Sequence, residues 1–234
     1  MNIGKDTYPE YSIQGGMTVF KFWGDGSQAA KDLVGAIAVR STQNFNWTFI
    51  FILAVVFYVY WSEIRKKNYG AVSAGLALYG VHWLYEIANA VIAKIFGYPL
   101  WAVSNESTTF ILLIGVCWEL SMMFSLAGII SYKMLPEDRT KKLFGLPCRL
   151  GGALSMALLF ALFESFLAGT SNNSFIWVYK WWGVVPVFVT TYIPFFLASN
   201  YIPFMEPKKR KATLIGIWGA VALLLIVLIP LGVI

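Results

Sequence analysis

Charged side chains are scarce in this chain. Only 13% of its 234 residues are Asp, Glu, Lys or Arg, whereas 58% are hydrophobic. Soluble domains carry about 25% charged residues, so the composition excludes an ordinary soluble domain. It indicates a multi-pass membrane protein that is long enough for one helical bundle.

Cysteine and histidine are also rare. The two cysteines, Cys117 and Cys148, do not make a disulfide framework, and packing is the simplest role for both. The single histidine, His82, excludes a haem held by two histidines of one chain, and it makes a redox-metal site a poor fit. The sequence has neither a G-x-S-x-G motif nor a glycine-rich phosphate loop. We therefore expect no metal site and no cofactor.

Long apolar runs are what the sequence does contain. Six of them reach the roughly 20 residues that a transmembrane helix needs. They lie near 45–64, 70–96, 108–133, 149–169, 176–203 and 211–234. The runs are continuous rather than alternating, which favours helices over strands. The sequence therefore predicts an all-α fold, a polytopic bundle of six transmembrane helices within residues 45–234.

Basic residues mark one side of the predicted membrane. They cluster in the first, third and fifth connections, whereas 97–107 and 170–175 contain none. The cluster consists of Arg65, Lys66, Lys67, Lys133, Arg139, Lys141, Lys142, Arg149, Lys208, Lys209, Arg210 and Lys211. The positive-inside rule then places these connections in the cytoplasm and both termini on the opposite side. The net charge of +6 is explained by orientation and by contact with anionic lipid, and nucleic-acid binding has no support.

The first 44 residues differ from the rest of the chain. They begin without an apolar signal segment, so a cleaved signal peptide is not expected. Ser27 is a candidate N-cap, and apolar residues recur at three- and four-residue spacing from Ala29 to Ala38. This segment is too short to span, and it predicts an extramembrane helix on the outer surface. A partly ordered tail is the alternative.

The predicted fifth span is rich in proline. It contains Pro186, Pro194 and Pro203, and each proline removes a helix hydrogen bond. We expect a kinked helix, which is a common wall of a cavity.

Ionisable residues inside the predicted spans indicate a buried polar site. Each costs roughly 3 kcal/mol or more at mid-membrane, so such residues usually face a protein interior. In the second span, Tyr79, His82, Glu86 and Asn89 are spaced by three, four and three, which puts them on one helix face. Glu119 lies near the middle of the predicted third span, and no basic residue of that helix is nearby. A polar clamp between helices is the alternative to a reactive site.

Two further ionisable residues lie near the ends of predicted spans. Glu164 and Lys180 are each about one turn inside the membrane from the same side, and a structural ion pair is their simplest role. All five ionisable groups lie between mid-membrane and the outer ends of their spans, which predicts one pocket in the outer half of the membrane if the helices pack in that order. We expect aromatic and polar side chains to line it for substrate binding: Tyr79, Asn89, Trp118, Tyr179 and Trp182.

Three short stretches carry a resemblance to a known family. Residues 81–86 give His-x-x-x-Glu, residues 117–120 read Cys-Trp-Glu-Leu, and residues 182–186 give Trp-x-x-x-Pro. The pattern resembles the emopamil-binding-protein family of sterol isomerases, in the EXPERA superfamily. The resemblance covers about residues 45–203, and it implies that His82, Glu86, Glu119 and Trp182 handle a proton and a carbocation.

The chain departs from that family in two places. Tyr179 stands where the family has Asn, and the sixth span is additional. The Trp-Glu-Leu motif is also similar to integral-membrane terpene cyclases of meroterpenoid pathways. Both resemblances imply acid–base work on an apolar isoprenoid-type molecule.

Two functional hypotheses follow from these residues. The first is a membrane enzyme that isomerises or cyclises a sterol-like or isoprenoid-like substrate. Glu119 or Glu86 donates the proton, His82 tunes or returns it, and Trp118 and Trp182 line the cation. The second is a non-enzymatic membrane subunit that binds a lipid, a proton or a partner helix, including a second copy of the chain. A cavity with a lateral opening, on which Glu86, His82 and Glu119 converge, distinguishes the enzyme from the subunit.

Overall fold

The computed structural model describes residues 20–41, 47–104, 110–138, 140–170 and 175–234. Most of this part of the chain is helical. The helices are α1 (Gln28–Gly35), α2 (Thr48–Arg65), α3 (Tyr69–Phe96), α4 (Trp118–Met134), α5 (Cys148–Gly169), α6 (Val184–Phe204) and α7 (Pro207–Leu228). Of the described helices, α3, α5, α6 and α7 are long and apolar enough to cross a membrane.

Helix α3 is the centre of the bundle. It packs against α2, α4, α6 and α7. Small residues allow its close approach to α4, since a Cβ on Gly128 would lie 2.3 Å from the carbonyl oxygen of Ala74. The Trp218 indole of α7 donates to the Leu76 carbonyl of α3 across 3.1 Å. Apart from such contacts α7 is peripheral, because only 6% of its most apolar 18-residue stretch is buried within the protein.

The connections contain short strands, so the all-α prediction is wrong there. Strand β1 (Trp101–Val103) pairs antiparallel with β6 (Phe175–Trp177). Strands β2 (Ile111–Leu113) and β3 (Val116–Cys117) form one hairpin, and β4 (Lys142–Leu143) and β5 (Leu146–Pro147) form another. Hydropathy alone cannot separate short apolar strands from the helices that they adjoin.

The largest error concerns the third predicted span, near 108–133. Its first part folds as the β2–β3 hairpin, and α4 begins only at Trp118. The remaining helix has 17 residues. The α2 helix has 18 residues and corresponds to the run near 45–64, of which residues 45 and 46 lie outside the described part.

The N-terminal helix is present where the cap and spacing predict it. The Ser27 hydroxyl accepts the Ala30 N–H at 3.1 Å, which caps α1. Ala30 and Val34 are buried in one cluster with Ala102, Ile176 and Val178. The apolar face of α1 therefore packs on the β1–β6 pair, while residues 1–19 of the predicted extramembrane segment lie outside the described part.

The segment before α1 crosses the same end of the bundle. Gly24 N–H donates to the Trp182 carbonyl at 2.7 Å, and Gly26 N–H donates to the Val178 carbonyl at 3.0 Å. A Cβ on Gly24 would lie 2.1 Å from the Tyr179 carbonyl oxygen, so only glycine permits this contact. We call the end with the β1–β6 pair the ribbon end.

The opposite end, which we call the basic end, holds the connections rich in Lys and Arg. There Lys133 pairs with Glu63 at 2.5 Å, and the Asn68 amide donates to Glu63 at 2.7 Å. The Arg149 guanidinium lies 4.0 Å from the centre of the Phe204 ring.

Helix α6 is irregular, as its prolines predict. It begins with a short α-helical segment (Val184–Pro186), continues as a π-helix (Val187–Tyr192) and then as an α-helix (Ile193–Tyr201), and ends in a 3₁₀ turn (Ile202–Phe204). Such π-helical insertions often occur at functional sites because they redirect side chains.

Candidate functional site

A pocket lies inside the bundle, between α3, α4, α5 and α6 and below the ribbon end. Aromatic side chains make up most of its wall. Its lining residues are His82, Glu86, Trp101, Gly115, Leu120, Met123, Phe124, Phe160, Phe163, Glu164, Leu167, Phe175, Trp182, Thr191, Tyr192 and Phe195. The pocket thus brings the only histidine together with two carboxyl groups.

His82 and Glu86 meet one helical turn apart on α3, as their spacing predicts. Imidazole Nε2 lies 3.4 Å from Glu86 Oε1, a contact that is an ion pair when the ring is protonated. The His82 ring stacks on Phe124 with 4.2 Å between centroids. The Trp101 indole N–H donates to both Glu86 oxygens, at 3.2 and 3.3 Å.

Glu164 of α5 is the second carboxyl group in the pocket. Its Oε1 accepts the Trp177 indole N–H at 2.7 Å, and its Oε2 accepts the Tyr192 hydroxyl at 2.5 Å. Tyr192 belongs to the π-helical part of α6. Glu164 is 6% exposed and Glu86 is 4% exposed, so two acidic side chains are held away from solvent.

The β1–β6 pair supplies one tryptophan indole to each of the two carboxyl groups, Glu86 and Glu164. Trp101 of β1 and Trp177 of β6 are register partners, and directly opposite residues of an antiparallel pair project from the same face. Trp182 stacks on Trp101 with 5.6 Å between ring centroids. The short β1–β6 pair therefore positions both acids of the pocket through matched tryptophans.

Gly115 marks where the β2–β3 hairpin approaches the same acid. A Cβ at this position would lie 2.5 Å from Glu86 Oε2 and 2.5 Å from Trp101 Nε1. Any side chain there would displace the Glu86–Trp101 hydrogen bond, which explains glycine in this turn.

Several polar atoms of the pocket have no hydrogen-bond partner among the described residues. They are both ring nitrogens of His82, the Trp182 indole nitrogen and the Thr191 hydroxyl. Leaving such a group unpaired in a protein interior costs about 1–3 kcal/mol, and unpaired buried groups are uncommon. Four of them around one pocket indicate a site that binds a polar group.

The pocket reaches the surface of the bundle between α4 and α5. Leu120 and Met123 of α4 and Leu167 of α5 line it and are half-buried, and Phe163 of α5 lines it while being 47% exposed. The interior is narrow, with a cavity volume of only about 30 Å³. That volume holds about two water molecules.

Glu119 does not line the pocket with His82 and Glu86, contrary to our prediction. It is half-buried in the first turn of α4 and is not among the residues that line the pocket. Because α4 begins ten residues after the predicted start at 108, Glu119 lies at a helix end rather than at its middle. Trp118 stacks on Phe49 at 5.7 Å instead of facing the pocket.

The predicted ion pair between Glu164 and Lys180 is also wrong. Glu164 uses both oxygens to accept from Trp177 and Tyr192, whereas Lys180 is exposed, with its stem against Gly26. The ribbon and the segment before α1 cover this end, so Glu164 has no route to the surface lysine.

Three residues predicted to bind substrate instead hold the fold together. Tyr79 shares a 2.8 Å hydrogen bond with Ser121. Asn89 accepts the Leu100 N–H and donates to the Trp101 carbonyl, both at 2.8 Å. Tyr179 donates to the Tyr98 carbonyl at 2.9 Å. Of the five residues predicted to bind substrate, Trp182 is the one that lines the pocket.

Sequence reasoning missed Trp101, Thr191 and Tyr192 as pocket residues. Trp101 lies in a connection, where we expected no part of the site. Thr191 and Tyr192 lie within two turns of Pro186, and the predicted kink was the signal that could have identified them.

These features define an integral, multi-pass membrane protein with a buried polar pocket. The chain belongs to a family described as an uncharacterized membrane protein family, whose sequence model matches residues 27–230. It is 37% identical over 205 residues to an uncharacterized protein of Archaeoglobus fulgidus, covering 86% of this chain and 95% of that protein. No solved structure matches the chain.

Proposed function

We propose that the chain crosses the membrane six times, with both termini on the non-cytoplasmic side. α2 and α4 are the two additional spans, since 17 or 18 residues lie within the range of membrane helices. The Arg40 guanidinium donates to the Ile234 carbonyl at 3.0 Å, so the segment before α2 and residue 234 lie at the same end of the bundle, as six crossings between them require. The positive-inside rule then places the basic end in the cytoplasm.

This topology predicts the labelling, by an impermeant thiol reagent, of two variants with one introduced cysteine each. In intact cells Lys180→Cys, at the ribbon end, should react at once, whereas Lys142→Cys, at the basic end, should react only after permeabilisation. The native Cys117 and Cys148 are buried and give little background. The reverse pattern would contradict the orientation, and labelling of both variants from outside would contradict the number of crossings.

We propose that the pocket is an acid–base site for a lipophilic, isoprenoid-like molecule. The observation that carries this proposal is that two buried carboxyl groups and an imidazole without hydrogen bonds share one aromatic-lined pocket. The opening of the pocket between α4 and α5 faces the surface that lipid would cover. This position suits a substrate that enters from the membrane. Aromatic faces such as those of Phe124 and Trp182 can stabilise a developing cation.

The proton steps follow from the residues that line the pocket. A carboxyl group, Glu164 or Glu86, donates a proton to one carbon of a substrate double bond, which leaves a cation on the other carbon. A neighbouring C–H bond then loses its proton to a base, and a shifted double bond forms. His82 suits the role of that base, since neither ring nitrogen has a hydrogen-bond partner among the described residues. The acid role expected of Glu119 passes to Glu164 in this scheme.

A second function is favoured by the narrowness of the pocket. About 30 Å³ holds waters but no isoprenoid, so a lipophilic substrate requires Phe163 and Met123 to move aside. A proton-binding subunit of a larger membrane complex needs no such movement. In that function the two carboxyl groups and His82 exchange protons through bound water.

Deuterium incorporation distinguishes the two functions. Purified protein in lipid nanodiscs should convert a sterol or polyprenyl substrate to an isomer, and in D₂O the isomer should carry one solvent-derived deuterium. Mass spectrometry measures both the conversion and the label. If a broad panel of such substrates is returned unchanged and unlabelled, the acid–base enzyme is excluded and the proton-binding subunit is preferred.

A further inference from the structure

A second cavity lies at the basic end, far from the acid–base pocket. It is bounded by the end of α4, the start of α5 and the β4–β5 hairpin, and its lining includes Met134, Leu135, Leu143, Phe144 and Met156. Its volume is about 170 Å³, compared with about 30 Å³ for the acid–base pocket. An apolar cavity therefore lies beside the basic connections.

The hairpin beside this cavity has an unusual tip. Phe144 and Gly145 form its two-residue turn with φ angles of 53° and 79°. Such turns favour Asn or Gly at the first position, because a bulky side chain is sterically disfavoured at positive φ. Phe144 is nevertheless 87% exposed, so packing within the chain does not explain a phenylalanine there.

Contacts with α5 hold the hairpin in place. A Cβ on Gly151 would lie 2.7 Å from the Leu143 carbonyl oxygen, and a Cβ on Gly152 would lie 2.4 Å from Leu135 Cδ2. Both glycines therefore allow the hairpin and the end of α4 to lie close to α5. Gly152 also lines the cavity, so a side chain there would occupy part of it.

The charge around the cavity indicates what occupies it. Lys141 and Lys142 are exposed beside the hairpin tip. Two acids, Glu137 and Asp138, precede them, and the Asp138 carboxylate accepts hydrogen bonds from the Thr140 hydroxyl and N–H within the same turn. An exposed aromatic tip flanked by lysines is typical of contact with anionic headgroups and the acyl chains beneath them.

We propose that this cavity binds a membrane lipid with an anionic headgroup. The acyl chain lies against Met134, Leu143 and Met156, Phe144 covers it from the membrane interface, and the headgroup lies at Lys141 and Lys142. This site does not depend on the acid–base function proposed for the other pocket.

Native mass spectrometry of the full chain tests the proposal with phosphatidylglycerol and phosphatidylcholine of identical acyl chains. The wild type should retain one phosphatidylglycerol in preference to phosphatidylcholine. Lys141→Gln with Lys142→Gln should weaken phosphatidylglycerol binding about five-fold per lysine, since each basic residue near an anionic surface contributes about that factor. Ser155→Phe should abolish retention, because exposed Ser155 lines the cavity and the larger ring occupies it.

Matched variants separate the site from general surface effects. Leu158→Phe changes an exposed position of α5 that does not line the cavity, and Lys208→Gln with Lys209→Gln removes two lysines elsewhere at the basic end. Both should retain lipid as the wild type does, with unchanged thermal midpoints. Equal retention of the two lipids, wild-type retention by Ser155→Phe, or displacement of lipid by inorganic phosphate would each overturn the proposal.

Discussion

Replacing Glu164 with glutamine should lower turnover by about 10²- to 10⁴-fold, the usual contribution of a general acid or base. The fold should survive this change. An amide has nearly the shape of a carboxyl group but cannot deliver an acidic proton. The measurement is product formation, with deuterium incorporation from D₂O, by wild type and variant in nanodiscs.

The surroundings of Glu164 explain why glutamine should fit. The Trp177 indole can only donate, so the amide oxygen replaces Oε1 as its acceptor. The Tyr192 hydroxyl donates to Oε2 in the wild type, but a hydroxyl group can also accept. It can therefore turn to accept from the glutamine NH₂. Each oxygen and nitrogen of the cluster keeps one partner, whereas the Tyr192 O–H loses its acceptor, so the thermal midpoint should fall, but by less than in Glu164→Leu.

Glu119→Gln is the matched control for this variant. It makes the same chemical change on α4, outside the pocket lining, and should leave turnover within about two-fold of the wild type, because surface and near-surface substitutions away from a site have small effects. Full activity in Glu164→Gln together with loss of activity in Glu119→Gln would reverse the assignment and return the acid role to Glu119.

The half of the site on α3 could be predicted from the sequence because it depends on one helix. The four-residue spacing of His82 and Glu86 fixes their relative position whatever surrounds the helix. Their 3.4 Å contact is the direct result. No knowledge of neighbouring elements was needed for that prediction.

The other half of the site depends on where chain segments change from helix to strand. The predicted depth of Glu119 assumed a continuous helix from 108, but residues 111–117 pair as a hairpin, which moves Glu119 to a helix end. A run such as Ile111–Leu113 has the same hydropathy in a strand and in a helix. The depth of a residue in the membrane, when it is estimated from the helical rise, is therefore wrong where the start of the helix is misplaced.

The burial of Glu164 could not be predicted for a different reason. Its distance from the helix end was estimated well, and that position normally gives a carboxyl group access to water. The ribbon and the segment before α1 cover the end of the bundle, and they bring Trp177 into contact with Glu164. Pairing of β1 with β6 joins residues 72 or more positions apart, which no local pattern indicates.

Removing Glu164 altogether should be strongly destabilising, and a second substitution should partly reverse the loss. Glu164→Leu leaves the Trp177 N–H and the Tyr192 O–H buried without an acceptor. Each unpaired group costs about 1–3 kcal/mol, so the total loss should be about 2–6 kcal/mol. Adding Tyr192→Phe removes one of the two unpaired donors without changing the shape of the ring. The double variant should therefore be more stable than Glu164→Leu alone by about 1–3 kcal/mol, although both remain inactive.

Tyr192→Phe alone should be destabilising, because it takes a hydrogen bond from a buried carboxyl group. The same hydroxyl thus stabilises the wild type and destabilises the leucine variant, a change of sign that simple packing cannot produce.

Unfolding midpoints of the wild type, the two single variants and the double variant in one detergent measure the coupling between Glu164 and Tyr192 directly. Tyr201→Phe, on an exposed side chain of the same helix, should combine additively with Glu164→Leu. Additive behaviour of Tyr192→Phe as well would show that the hydrogen bond to Glu164 does not stabilise the protein.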